Sequence, residues 1–153
     1  MIIRKYKPSD CAFMAKLFYD TVHTINSKDY TNEQLNAWAT GNVDLEVWNS
    51  SFIAHNTLVA VINGGIVGFA DMDYTGYLDK LYVHKDFQRR GIATALVKEL
   101  ERCARKVGLF NFKTHASITA KPFFEKQGYT VEAENKVIRN GIALGNYKMV
   151  KNY

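Results

Sequence analysis

The sequence predicts an α+β domain in which a mixed, mostly antiparallel sheet of about seven strands is flanked by four helices. Three observations carry that expectation. Leu58 to Ile62 and Ile66 to Met72 are apolar runs joined by Asn63-Gly64-Gly65, and Tyr129 to Ile138 and Ile142 to Val150 are joined by Arg139-Asn140-Gly141, so each pair reads as a hairpin. Ile92, Leu96, Leu100, Cys103 and Val107 recur at steps of four, four, three and four, which puts one apolar stripe on a helix. A chain of 153 residues, 47% of them hydrophobic, suits one packed core, and residues 1–153 are read as a single domain.

The elements follow in order. Ile2 to Tyr6 alternates weakly and reads as a first strand. Pro8, Ser9 and Asp10 punctuate the chain before a helix from about Cys11 to Ile25, with Phe13, Leu17, Val22 and Ile25 on its apolar side. Thr31 caps a short helix through Trp38, with Glu33 and Gln34 in its first turn. Gly41 to Ser50 reads as an irregular connection. After the first hairpin, Tyr77 to Val83 forms a further strand, and a helix runs from Gly91 to about Val107, ended by Gly108. Phe110 to His115 is a strand reached by a right-handed crossover. A last helix starts between Ser117 and Thr119, with Pro122 tolerated in its first turn, and stops at Gly128 before the closing hairpin.

Bulk properties exclude several classes. No run of about 18 apolar residues occurs, and Arg4, Lys5 and Lys7 follow only two apolar residues, so neither a membrane span nor a signal peptide is expected; the reading is cytoplasmic. Cys11 and Cys103 are too few and too separated for a disulfide framework and lack metal-ligand spacing, so no metal is expected. The net charge of +5 is dispersed, with Arg102, Arg105 and Lys106 expected on a solvated helix face. A bound anionic cofactor accounts for the surplus more economically than a nucleic-acid partner does.

The chemistry concentrates at Gln88-Arg89-Arg90-Gly91-Ile92-Ala93, between the strand ending at Val83 and the amphipathic helix. A first helical turn leaves backbone N–H groups without partners at the positive end of the helix dipole, and an anion satisfies both. Gly91 lets the backbone approach a pyrophosphate, Ala93 and Thr94 keep the next turn uncrowded, and Arg89 and Arg90 add charged donors. An ordinary solvated turn is the alternative reading of the same residues.

With this loop opening the helix after the fourth strand, the order of elements resembles the GNAT superfamily of acetyl-CoA-dependent N-acetyltransferases. A second segment, Ser117-Ile118-Thr119-Ala120-Lys121-Pro122-Phe123-Phe124-Glu125-Lys126-Gln127-Gly128-Tyr129, is similar to the family's Asn-x-x-Ala-x-x-x-Tyr-x-x-x-Gly-Phe pattern. The resemblance implies a splayed sheet in which the pantetheine arm lies along Leu81, Tyr82 and Val83, with an N–H near Val83 on the thioester carbonyl. It implies a pyrophosphate held by Gln88 to Ala93 with Ile92 and Thr94, and cofactor contacts from Ser117, Ala120, Phe123 and Phe124. The acceptor it implies is a small-molecule or peptide amine, and a homodimer is compatible with it.

An alkylamine with a pKa near about 10.4 must lose a proton before it attacks. Asp79, placed by strand alternation on the face of Tyr77 and Leu81, is the candidate base; a surface ion pair with Lys80 is the other reading. Phe124 stands where many family members have a tyrosine that protonates the leaving thiolate. Tyr82, His84 and Tyr129 are the substitutes near in sequence, Tyr82 on the face opposite Asp79. His23, Asn26, Tyr30, Gln34 and Trp38 are candidates for the amine pocket, or, for the aromatics, simple helix packing. A pocket rich in aromatics and poor in acids suits a neutral or small amphipathic acceptor better than a polyamine, with Asp29 and Glu33 counting against that reading. Absence of the tyrosine leaves open a catalytically weak acyl-CoA sensor or scaffold.

Overall fold

The computed structural model describes residues 1–153. Its elements are β1 (Ile2–Lys5), α1 (Cys11–Thr24), α2 (Asn32–Trp38), α3 (Leu45–Ala54), β2 (Asn56–Ile62), β3 (Gly65–Met72), β4 (Tyr77–Val83), α4 (Ile92–Lys106), β5 (Asn111–Ser117), α5 (Lys121–Lys126), β6 (Thr130–Arg139) and β7 (Ile142–Asn152). One sheet of seven strands in the order β1-β2-β3-β4-β5-β7-β6 unites them. Every neighbouring pair is antiparallel except β4 and β5. No helix is long and apolar enough to cross a membrane.

The sheet separates two cores. On one face α4 presses Ile92, Leu96, Val97 and Leu100 onto Ala60, Ala70, Leu78 and Phe112. On the other, Met14, Leu17, Phe18 and Val22 of α1 join Leu35, Phe52, Val59 and Phe69. Gly68 sets how closely α4 approaches: a Cβ there would lie 2.9 Å from Ile92 Cγ2 and 3.3 Å from Leu96 Cδ1. Both hairpins turn as expected, with positive φ at Asn63 and Gly64 and at Asn140 and Gly141. Thr31 caps α2 with the box its sequence suggests: its Oγ1 accepts from the Gln34 N–H, while Gln34 Oε1 accepts from the Thr31 N–H.

Four expectations are corrected. Residues Gly41 to Ser50 are not all irregular: Leu45–Ala54 is a helix, so five helices flank the sheet rather than four. Its signal was local, since Asp44 Oδ1 accepts from the N–H groups of Glu46 and Val47, and Leu45, Trp48 and Phe52 share a helical face. The stripe of α4 ends differently, with Glu101 and Ala104 buried, Cys103 half-buried and Val107 72% exposed beyond the last turn. The last helix starts later, at Lys121, with Pro122 still in its first turn. Finally, β4 does not alternate regularly. Asp71 pairs with Lys80 and Met72 with Leu78, which makes Asp79 the extra residue of a β-bulge.

Candidate active site

The parallel pairing of β4 with β5 stops almost as soon as it starts, at Tyr77 with Lys113 and Leu78 with Thr114. Thr114 Oγ1 closes the junction by donating to the Leu78 carbonyl at 2.9 Å. Beyond it β5 turns to β7, which it pairs along its whole length, and the remainder of β4 is left with a free edge. Because the His84 N–H bonds back to Val67 O, strand alternation directs the N–H groups of Leu81 and Val83 away from β3, into the gap. The Val83 carbonyl on that edge is taken by Thr21 Oγ1 at 3.0 Å and Gln88 Nε2 at 2.7 Å.

The gap widens into a cavity of about 630 Å³ that runs from the first turn of α4 to the ends of α1 and α2. Of the residues singled out as cofactor contacts, Leu81, Tyr82, Val83, Gln88, Arg89, Gly91, Ile92, Ala93, Thr94, Ser117, Ala120, Phe123 and Phe124 line it. Arg90 does not; its guanidinium lies over the Phe87 ring at 4.9 Å. At the α4 end no side chain caps the helix, and the first backbone bond runs from Ala95 N–H to Gly91 O. The preceding amides therefore face the cavity as unspent donors. Gly91 has φ +78°, and a Cβ there would meet nothing within 4 Å, so the glycine serves backbone conformation and leaves open space where an anion fits. Ser117 Oγ is spent locally, accepting from the Ala120 N–H at 3.0 Å.

At the other end stand Asp79, Tyr82, Trp38, Asn26 and His115. Asp79 is the one carboxylate in the wall, and it also pairs with Lys80 Nζ at 3.0 Å, so the expected ion pair leaves the carboxylate at the cleft. The bulge overturns the expected facing. Phe69 opposes Tyr82 and Asp71 opposes Lys80, and Asp79 lies with Asp71 and Tyr82 on the α1 side of the sheet rather than beneath α4 with Leu81. Burial pushes the Tyr82 hydroxyl above its ordinary range; the Trp38 indole pulls it back and the Asp79 charge raises it further, so the phenol keeps its proton.

Three candidates for the amine pocket are spent elsewhere. Tyr30 donates to Gly145 O at 2.7 Å and accepts from the Ile118 N–H at 3.0 Å, which ties α2 to β7 and β5. His23 Nε2 lies 2.7 Å from Ala39 O, and Gln34 Nε2 donates to Ala143 O. None of the three lines the cavity, whereas Trp38 and Asn26 do. The sequence reading missed His115, which sits two residues before Ser117 on the same side of β5 and has Nδ1 2.8 Å from Tyr77 Oη. Burial, with nearby Lys148, lowers its pKa below the usual histidine value. Thr21, whose hydroxyl holds the end of β4, was missed because nothing local marks it.

A family model described as the acetyltransferase (GNAT) domain matches residues 26–151. The chain belongs to the GNAT acetyltransferase family. This GNAT chain is 33% identical to the uncharacterized N-acetyltransferase YafP of Escherichia coli (strain K12) over 147 residues, 96% of the chain and 93% of the relative. It is 34% identical to the GCN5-related N-acetyltransferase "Aminotransferase, Class-II" from Rhodopseudomonas palustris, with a TM-score of 0.95 over 99% of this chain and 95% of that one. The PaiA N-acetyltransferase from Thermoplasma acidophilum, solved in complex with coenzyme A, shares the fold at 18% identity, with a TM-score of 0.84 over 99% and 98% of the two chains.

Within this GNAT domain the tyrosine of the second motif is replaced by Phe124, a buried ring packed between Phe123 and Tyr129. Tyr129 is no substitute, because its hydroxyl is buried and donates to Glu101 Oε2 at 2.7 Å. His84 meets the Phe87 ring edge to face outside the cavity, with Nδ1 accepting from the Asp86 N–H. Tyr82 is the one phenol in the wall.

Proposed function

We propose that the protein transfers the acetyl group of acetyl-CoA to a primary amine of a small molecule or peptide, by direct attack in a ternary complex. The observation that carries the proposal is the continuity of one cleft, with free α4 amides at one end, the free edge of β4 along its wall, and Asp79 beside Tyr82 at the other end. Acetyl-CoA supplies the activated acyl thioester. The uncapped amides of Gln88 to Thr94 and the Arg89 guanidinium suit its pyrophosphate, and the edge of β4 suits the amides of its pantetheine arm. The Val83 N–H is positioned to polarise the thioester carbonyl. Asp79 takes the proton from the amine, and Tyr82, kept protonated by burial, returns one to the departing sulfur.

One carboxylate and two aromatic rings, Trp38 and Tyr82, form the acceptor end, and they favour a monoamine with an apolar body over a polyamine. Coenzyme A in the T. acidophilum structure and acetyl-CoA in the yncA structure from Salmonella typhimurium support the choice of cosubstrate by fold alone. The test is release of free thiol from acetyl-CoA with a panel of phenethylamine, ethanolamine, putrescine and a lysine tripeptide. Turnover is expected with at least one monoamine, and Asp79→Asn is expected to lower kcat by about 10²-fold or more with acetyl-CoA affinity retained. A second reading, an acyl-CoA sensor, draws on Phe124; tight acetyl-CoA binding without turnover of any amine would favour it.

A further inference from the structure

Behind Asp79, outside the cleft, stands a buried acid–imidazole pair that the proposed chemistry has not used. Asp71 on β3 is fully buried, with Oδ1 accepting from the Lys80 N–H at 2.9 Å and Oδ2 lying 2.7 Å from His55 Nδ1. His55 ends α3, and its side chain is 22% exposed although it does not line the cavity. Polar atoms of His55, Asp71 and Asp79 all lie within 4.8 Å of one another. A separation within that limit is short enough for a single water to bridge.

The overall reaction creates a need for such a route. An amine that enters as an ammonium loses two protons in becoming an amide N–H: one replaces the proton that Tyr82 gives the sulfur, and the other, taken by Asp79, must reach bulk water. The C–N bond forms and the C–S bond breaks without any other change in charge. Asp79 lines the cleft, and in the proposed ternary complex acceptor and pantetheine arm would occupy that route to solvent.

We propose that Asp71 and His55 carry the surplus proton from Asp79 to bulk water behind the β4 bulge. The inference rests on the reading of Asp79 as the base. The proton passes from Asp79 through a water to the Asp71–His55 pair, is held there as an imidazolium facing a carboxylate, and leaves from the exposed edge of the His55 ring. Asp73 and Asp79 add negative charge around the imidazole, and Lys80, fixed on Asp79 and over the Trp48 and Phe52 rings, opposes them. Burial raises the Asp71 carboxyl, the His55 hydrogen bond lowers it, and the Asp79 charge raises it again, which fits a group poised to share a proton. Both residues act through Asp79 and do not touch the amine.

The experiment measures kcat against pH for the wild type, His55→Ala, His55→Gln and Asp79→Asn, with the fastest amine of the panel and with imidazole added in millimolar amounts. Acetyl-CoA affinity is measured alongside. His55→Ala is expected to lower kcat by about tenfold or more, to leave acetyl-CoA affinity unchanged, and to regain activity with imidazole. His55→Gln, which keeps a hydrogen bond to Asp71 but cannot carry a proton, is expected to be as slow as His55→Ala. A His55→Ala rate within twofold of wild type, a loss that imidazole does not restore, or wild-type activity in His55→Gln overturns the relay. If Asp79→Asn is itself as fast as wild type, the base assignment falls, and the relay with it.

Discussion

Gly91 allows the cofactor end of the cleft to be tested with charge and backbone strain separated. Its φ of +78° penalises any side chain, at about 1–2 kcal/mol, and that cost is common to Gly91→Ala and Gly91→Glu. A Cβ at this position meets no protein atom within 4 Å, so neither variant is opposed by a clash with the protein. The two differ mainly in an anionic arm extending into the space in front of the α4 amides. A carboxylate about 6 Å from a phosphate charge, in a medium of effective dielectric about 20, is repelled by about 2.8 kcal/mol, or roughly a hundredfold in affinity. Salt screens part of this, and about 10- to 100-fold is the expected difference in acetyl-CoA Kd between the variants. Isothermal titration of both proteins at low and high salt measures it, with the gap narrowing as salt rises. Equal affinities for Ala and Glu would refute the placement of the pyrophosphate at this turn, whatever both variants lose relative to wild type.

Further outcomes follow from other parts of the structure. Tyr82→Phe is expected to lower kcat by about 10- to 100-fold with acetyl-CoA affinity retained, and thiol-release kinetics showing no loss would remove Tyr82 as the acid. Glu101 is buried against Lys151 Nζ at 2.8 Å and the hydroxyls of Tyr129 and Tyr153 at 2.7 and 2.9 Å. Glu101→Leu strands the Tyr129 hydroxyl and the largely buried Lys151 ammonium and is expected to cost about 3–5 kcal/mol; a Tm drop under about 3 °C would contradict that. Asp10 is buried, which alone would raise its pKa, but the two-pronged Arg4 pair at 2.8 and 2.9 Å and the Lys7 N–H hold it below the ordinary range. A lowered folded pKa means the unfolded chain binds more protons, so this contribution is present above about pH 4 and lost as pH falls through the folded value. Thermal melts of wild type and Asp10→Asn are therefore expected to differ at pH 7 and to converge towards pH 2.

The sequence by itself determined the elements whose causes are local. Asn63-Gly64 and Asn140-Gly141 specify tight turns, Thr31 and Gln34 write their own cap, and the spacing from Ile92 to Leu100 lays α4 on the sheet. The α4 end of the cleft was legible for the same reason: a strand, a Gly91 turn and an uncapped helix are contiguous in the chain. Even α3 was written locally, in Asp44 and the Leu45, Trp48, Phe52 spacing, though its polar centre at Asn49, Ser50 and Ser51 disguised it. Tertiary structure decided the Asp79 end of the cleft. The facing of Asp79 depends on a bulge defined only against β3, because two residues of β4 oppose one partner and strand alternation read from β4 alone then misplaces the side chain. Tyr30 and His23 carry no mark in sequence that their polar atoms are committed to carbonyls of distant residues, Gly145 and Ala39. His55 and Asp71 meet only because α3 delivers one beside the strand that carries the other. Hydrogen bonds between remote segments are chosen by packing, and it is packing that set one carboxylate, Asp79, and one phenol, Tyr82, in the same wall of the cleft.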